Sequence, residues 1–458
     1  MTEFDAIVIG TGQAGPALAR DLAGDGMRVA IIERLHFGGT CVNTGCIPTK
    51  ALIASARAMH QARRGADFGF SVAGDIRADF KVIMARKDAI VARATQGVER
   101  SLRKTPGCTV IEGHARFTGA QEIEVAGQAL RAAKIFINVG GRAAVPDFPG
   151  IDSVPFLTNS SLLELDVLPE HLIVVGGGYV GLEFAQMFRR FGSRITLIEK
   201  GDRILSKEDP DASSAIQEIL ESEGVDVRTG SECIRLEHAG PRVRVGMDCA
   251  TPEKTVEGSH VLLAVGRRPN TDDLGLDRAG VALDDQGYIH VNDRLETNVP
   301  GVWALGDCNG RGAFTHTSYN DYEIVAENVL RGGNRRVTDR IVAYAVYVDP
   351  PLGRAGMTES EVRTSGRKAL IGQVDMENVT RAYISGEPAG AMKLFVDAET
   401  KTILGASILG YHGDEVIHSI LDVMYAEAPY SVIERAVHIH PTVSEYVPVA
   451  LADLNPLD

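Results

Sequence analysis

The sequence is short of cysteine, of basic charge and of long apolar runs. Six cysteines in 458 residues are too few for a disulfide scaffold. Lys and Arg number 47 against 61 Asp and Glu, a formal net charge of −14. A nucleic-acid binder would show the opposite balance, so no nucleic-acid partner is expected. No uninterrupted apolar run reaches the roughly 18 residues of a membrane span, and no membrane partner is expected. No basic leader precedes the apolar stretch FDAIVIG that opens at Phe4. The expected location is cytoplasmic, a reducing compartment in which a close cysteine pair serves catalysis more often than structure. The apolar share of 44% and charged share of 24% exclude bulk disorder. At about 100–200 residues per domain the length suggests two to four domains.

Glycine, in contrast, is plentiful, with 49 in the chain. Many of these fall in two similar segments. FDAIVIGTGQAGPALARDLAGDGMRVAIIER and HLIVVGGGYVGLEFAQMFRRFGSRITLIEK each read as apolar strand, glycine turn, helix, strand and acidic residue. Gly10, Gly12 and Gly15 lead to Glu33; Gly176, Gly178 and Gly181 lead to Glu199 at the same spacing. One G-x-G-x-x-G is weak evidence, but two in this context are strong. The first glycine permits a tight turn, the second lets a pyrophosphate touch the backbone, and the third lets helix and strand pack closely. The helix N-terminus offers free N–H groups to phosphate, and the acid binds ribose hydroxyls. Two such units imply two dinucleotides.

The rest of the chain divides around them. IFINVGGR with FPG near 148–150, and HVLLAVGRRPN at 260–270, read as two crossings between domains. The expected fold is α/β: two Rossmann-like dinucleotide-binding domains, one inserted in the other, and a C-terminal α+β domain. The expected boundaries are 1–148 with 264–338, 149–263, and 339–458. TNVPGVWALGDCNG is read as a strand delivering Asp307, followed by a helix from about Ser318. Beyond 339, VAYAVYVDPPLGRAGMTESEVRTSG and MKLFVDAETKTILGASILG read as hairpin strands and DEVIHSILDVMYAEA as a helix.

Cys41 and Cys46 lie in GGTCVNTGCIPTK, directly after the first nucleotide unit. KALIASARAMHQARR reads as a helix with Pro48 in its first turn. Thiols at a helix N-terminus are expected to have depressed pKa and to be nucleophilic. A zinc site would need four clustered ligands, and none cluster here, so no metal site is expected. A plain structural disulfide is the alternative.

GGTCVNTGCIPTK, the two glycine units, the WALGD strand and HIHPTVSE, taken together and in this order, resemble the FAD-dependent pyridine nucleotide–disulfide oxidoreductases. The resemblance runs along the whole chain. It implies that the first glycine unit holds the ADP half of FAD with Glu33 on its ribose. The backbone of Gly113, His114 and Ala115 would face the adenine, and Asp307 the ribityl side. Gly39, Thr40, Gly140, Gly266, Arg267, Gly306, Phe314 and Thr315 join the implied cofactor-binding set. The second unit would bind the nicotinamide dinucleotide, with Tyr179 over the nicotinamide pocket and Lys50 paired with Glu183 beside the flavin. Cys46 would be the thiolate next to the flavin, and Cys41 the thiol that attacks substrate, the two forming a redox-active disulfide. His440 with Glu445 would move the proton, supplied by the other subunit of a homodimer. Glu199 implies NADH over NADPH, with Lys200 and Arg203 able to swing toward a 2′-phosphate.

The PTK ending, VYVDPPLGRAGMTE and FTHTSYNDYEIV resemble the mercuric-reductase-like branch, where reactive-chlorine-resistance flavoproteins also fall. The chain departs from mercuric reductase in ending NPLD without vicinal cysteines and in having His440 where those enzymes carry tyrosine. The substrate would then be a disulfide, a metal ion or another small oxidised molecule. Dihydrolipoamide dehydrogenase is the alternative within the family. Outside that chemistry stand a flavin electron carrier or NADH oxidase with incidental cysteines, and a docking subunit of a larger complex. His438, Cys108, Cys233, Cys249 and Cys308 are read as structural.

Overall fold

The computed structural model describes residues 1–248 and 254–457. Cys249, and the side chain of Cys233, lie outside what it describes. The chain forms two compact units. The first comprises Met1–Ala51, Val82–Ala144 and Gly266–Arg340; the second comprises Leu52–Lys81, Val145–Val265 and Ile341–Asp458.

In the first unit, the strands Cys108–Glu112, Val29–Glu33, Thr2–Ile9 and Gln128–Ile137 lie parallel in that order. The near-continuous apolar runs of the middle two are what a sheet covered on both faces requires. Ile7 pairs with Ala30 on one side and Ile135 on the other, all fully buried. Gln128–Ile137 does double duty. Its start pairs antiparallel with Glu122–Val125, and its end pairs parallel with Val302–Ala304. That short strand therefore delivers the Gly306–Asn309 turn to the carboxyl edge of the sheet, where ligands of open α/β sheets bind.

The second unit holds a second parallel sheet, in the order Val225–Arg228, Arg194–Ile198, His171–Val175 and His260–Leu263. It also holds an antiparallel sheet of Ala343–Val346, Leu352–Gly356, Ile403–Leu409, Ala391–Asp397, Ala369–Asp375 and Asn455–Pro456. Within VAYAVYVDPPLGRAGMTESEVRTSG the strands Ala343–Val346 and Leu352–Gly356 pair antiparallel, as expected of a hairpin. The ladder breaks at Asp349–Pro350–Pro351, because proline cannot donate to it, and the chain turns there between the two strands. Helix Gly413–Tyr425 covers this sheet through Val416, Ile417 and Ile420.

Candidate active site

The first glycine turn is a cradle that side chains would fill. Gly10 adopts φ +103°, and a Cβ there would strike the carbonyl of Asn138. A Cβ on Gly15 would strike the carbonyl of Gly10. Glu33 ends its strand with both oxygens engaged. Oε2 accepts from the N–H of Thr11 at 3.0 Å and from its hydroxyl at 2.5 Å, and Oε1 accepts from the N–H of Leu35 at 2.9 Å. Asn138, buried beneath the turn, has an amide nitrogen without a hydrogen-bond partner. An orphaned donor under a glycine cradle, beside a helix N-terminus, fits a phosphate-bearing dinucleotide. Thr11 and Asn138 were not singled out in the sequence. Only their position, next to a motif glycine and at a strand end, could have marked them.

Gly113, with φ +147°, donates its N–H to the Glu33 carbonyl at 2.8 Å, so Gly113, His114 and Ala115 sit at the same sheet edge. His114 Nε2 lies 3.0 Å from the Asp273 carbonyl. Gly39 packs against Gly12, where a Cβ would come within 2.9 Å of its Cα, and the Thr40 hydroxyl reaches the Gly141 carbonyl at 3.5 Å. Gly140 and Gly266 both have positive φ, at 65° and 131°. Arg267 donates to the Gly141 carbonyl at 2.6 Å and lies 3.4 Å from Asp307. Burial pushes the Asp307 carboxyl above its ordinary value, and Arg267 opposes that. The turn is braced by Asp321, which accepts from the N–H of Gly306 at 2.8 Å and from Asn309 at 3.0 Å and pairs with Arg340. A cavity of about 520 Å³ opens beside Asp307, lined by Gly141, Arg267, Arg268, Tyr288 and Arg311 among others.

The cysteines belong to the same unit. Cys41 lies within the short helix Gly39–Asn43, and Cys46 is the first residue of Cys46–Arg63, with Pro48 in its first turn as expected. Both are free thiols, hydrogen bonded to each other, and the Cys46 sulfur lies 3.2 Å from the hydroxyl of Thr315. Thr315 opens the helix Thr315–Arg331, which starts three residues before the expected Ser318, with Phe314 as its N-cap. The expectation of a depressed Cys41 pKa is wrong. The hydrogen bond with Cys46, then burial, hold this thiol well above its ordinary value; Thr315 and Lys50 act in the opposite sense. Once one of two adjacent thiols has ionised, its charge opposes ionisation of the other. Cys308 is buried with its sulfhydryl on the carbonyls of Leu305 and Ile137, in keeping with a structural role.

The second unit repeats the turn. Gly176 has φ +114°, and a Cβ there would strike the Ala264 carbonyl; Gly181 packs on Gly176 in the same way. Gly178 caps the helix Tyr179–Phe191 and has open space around it. Glu199 accepts from the N–H of Gly177 at 2.6 Å and from that of Gly201 at 2.8 Å, the counterpart of Glu33. Gly177 was missed because the motif does not require a glycine there. Arg203 is not poised to swing: its guanidinium donates to the carbonyls of Ser206 at 3.0 Å and Glu208 at 3.4 Å. Glu183, buried on the same helix as Tyr179, accepts from the N–H of Tyr347 at 3.0 Å. Lys50 belongs to the first unit and Glu183 to the second.

His440 and Glu445 come together as a unit. Nδ1 lies 3.1 and 3.0 Å from the two carboxylate oxygens, and Glu445 also accepts from the N–H of Thr442 at 3.1 Å. His440 is 70% exposed and Glu445 only 17%. His438 Nδ1 lies 3.1 Å from the Ala436 carbonyl. No helix is long and apolar enough to cross a membrane among the described residues.

Comparison with known proteins follows the same order along the chain. The pyridine nucleotide-disulphide oxidoreductase family matches residues 4–321, and its dimerisation domain matches residues 342–451. The protein named probable pyridine nucleotide-disulfide oxidoreductase RclA of Escherichia coli is 37% identical over 97% of this chain and 98% of its own length. A mercuric reductase of Streptomyces lividans is 32% identical over 98% and 96%, and a dihydrolipoyl dehydrogenase of Thermus scotoductus 35% over 97% and 96%. The Cu(II) complex of Escherichia coli RclA, described as an HOCl-induced flavoprotein disulfide reductase, superposes with a TM-score of 0.90 at 35% identity over 99% of each chain. The paired glycine turns and the paired thiols thus fall inside one continuous match, and the chain belongs to the pyridine nucleotide–disulphide oxidoreductase family, whose oxidoreductases work with FAD and a pyridine nucleotide.

Proposed function

We propose that this chain carries electrons from NADH to a small oxidised acceptor through Cys41 and Cys46, and that it works as a homodimer. The observation that carries the reading is the thiol pair itself: two free cysteines hydrogen bonded to each other, with the Thr315 hydroxyl on Cys46. FAD, when bound, supplies the two-electron link between nicotinamide and disulfide. Residues 1–148 with 264–338 are assigned to FAD, 149–263 to the nucleotide and 339–458 to the subunit interface. Gly10, Gly12, Gly15, Glu33, Asn138 and Asp307 would hold the FAD; Gly176, Gly178, Gly181 and Glu199 would hold the nucleotide.

With a disulfide acceptor the sum is NADH, a proton and one disulfide giving NAD⁺ and two thiols. Cys41 attacks one substrate sulfur and the other leaves as a thiolate. Cys46 then attacks the Cys41 sulfur, which re-forms the Cys41–Cys46 disulfide and releases the second thiolate. Because the attacking nucleophile is a thiolate, the Cys41 proton must pass to a base, and each departing thiolate needs an acid. His440, with its tautomer fixed by Glu445, is assigned both tasks from the partner subunit. A reducing cytosol suits the pair. The RclA structure in complex with Cu(II) makes a metal ion the second acceptor to try.

The test is thiol counting. Anaerobic NADH titration of the holoenzyme should release two alkylatable thiols per chain, at Cys41 and Cys46. Cys46→Ser should abolish NADH-driven disulfide reduction. Retained turnover in that variant, with no thiols released in the wild type, would make the protein a flavin electron carrier with incidental cysteines.

A further inference from the structure

Among the described residues, the largest fully buried side chain outside the sites above is charged. Arg354, in the strand Leu352–Gly356, has no exposed surface. The register sets it in one row with Ser407 and Lys393 across three adjacent strands, and all three are buried. This cationic row meets carboxylates that end the loop following Glu199. Arg354 donates to Glu208 at 2.6 and 3.1 Å and to Asp209 at 2.9 Å. Lys393 reaches Asp211 at 2.9 Å, Glu359 at 3.1 Å and Asp209 at 3.5 Å. Glu359 donates its N–H to Asp209 at 2.9 Å, and the Tyr344 hydroxyl bonds Glu208.

The middle of that loop closes on the second glycine turn. Leu205, held at φ +44°, donates its N–H to the Gly177 carbonyl at 2.9 Å, and Glu208 donates to the Leu205 carbonyl at 2.7 Å. Gly177 in turn donates to Glu199. An unbroken line of bonds therefore runs from Arg354 through Glu208, Leu205 and Gly177 to Glu199. A buried ionic cluster is a poor device for stability alone, since apolar residues of equal volume usually serve as well. It does fix one geometry, and a non-glycine residue at positive φ persists only where its surroundings hold it.

We propose that Arg354, supported by Lys393, is a positioning residue for the pyridine nucleotide: through Glu208 and Asp209 the dimerisation domain sets the shape of the loop against which the adenosine ribose binds. The inference rests on the assignment of the second glycine turn to NADH. It adds that nucleotide affinity is controlled from a strand about 150 residues further along the chain than Glu199.

The experiment uses the holoenzyme and four variants: Arg354→Met, Arg354→Lys, Glu208→Gln and Glu199→Ala. KM for NADH is measured with a disulfide acceptor, Kd for NAD⁺ by calorimetry, and flavin reduction by dithiothreitol reports the nucleotide-free half of the cycle. Arg354→Met should raise KM and Kd together by about tenfold, with kcat and the dithiothreitol reaction within about twofold. Arg354→Lys should recover part of the loss, and Glu208→Gln should fall between. If Arg354→Met fails to fold, the other two decide, since both keep a hydrogen-bonding side chain in place. Unchanged KM and Kd in folded Arg354→Lys and Glu208→Gln, or a fall in kcat alone, would overturn the proposal. Should Glu199→Ala also leave Kd unchanged, the assignment of the nucleotide site fails; should it weaken binding while the Arg354 and Glu208 variants do not, only the positioning role fails.

Discussion

Glu445→Gln separates orientation from proton transfer. The substitution keeps the size of the side chain and an oxygen that can accept from His440 Nδ1, and it removes the charge. In the structure the carboxylate faces His440 at 3.0 and 3.1 Å and also holds the Thr442 N–H. A hydrogen bond to a charged group contributes about 1.5–3 kcal/mol when sheltered. His440 is 70% exposed, and exposed ion pairs retain only about 0.2–1 kcal/mol. Taking roughly 1 kcal/mol as the stabilisation lost from the protonated imidazole, turnover should fall about fivefold. His440→Ala removes the proposed acid–base, and the loss should be about 10²–10⁴-fold. The assay is disulfide reduction at saturating NADH across the pH range, beside a stopped-flow measurement of flavin reduction by NADH, which neither variant should alter. If Glu445→Gln lost as much as His440→Ala, the carboxylate would itself carry the proton. If neither changed turnover, the pair would have no part in the chemistry.

Mixing Cys41→Ser with His440→Ala subunits should restore measurable activity in verified heterodimers; no recovery would place both residues in one chain's site. If Glu199 binds the ribose as proposed, a 2′-phosphate within ~4–6 Å of it would be repelled by roughly 1–3 kcal/mol after solvent screening, so kcat/KM should favour NADH by about 10–100-fold; equal use of NADPH by the wild type would refute this. Burial holds His60, His171 and His260 below their ordinary value. As pH falls the unfolded chain takes up these protons first, from about pH 6.5, so their contribution is present above that pH and lost as it falls through the lower folded values. The melting temperature should therefore drop between about pH 7 and pH 5, and His171→Gln should flatten that slope. An unchanged slope would assign the acid sensitivity elsewhere. Gly176→Ala must hold a Cβ at φ +114° against the Ala264 carbonyl. It should cost about 1–3 kcal/mol of stability and weaken NAD⁺ binding, and a variant with wild-type melting and affinity would show that the turn relaxes freely.

What could be read from the sequence was local. The glycine turns, the acids that follow them, the cysteine pair and HIHPTVSE each repeat a short-range pattern, and the structure gives each a definite geometry. What could not be read depends on distant approach. Arg354 meets Glu208 across 146 positions, and Arg190 meets Asp349 across 159. Nothing in LGRAG distinguishes a buried arginine from a solvated one, because the ion-pair partners that permit its burial lie in another segment. Asp321 was invisible for the same reason: an acid on a helix looks solvated until the Gly306–Asn309 turn is laid against it. The raised Cys41 thiol was misjudged because the helix-terminus argument treats one sulfur at a time, while here the nearer influence is the second sulfur.

Glu33 and Glu199 each clasp the backbone of their own glycine turn. Each acid is therefore a latch on the loop, in addition to the sugar contact proposed for it. Redesign for NADPH cannot proceed by exchanging Glu199 for a basic residue alone. That exchange would leave the N–H groups of Gly177 and Gly201 without their acceptor, and the turn would open at the same moment that it gained a partner for phosphate. A successful switch needs two changes at once, one to recruit the phosphate and one to return an acceptor to the turn. Single-site libraries at position 199 should yield mostly weak binders of both nucleotides.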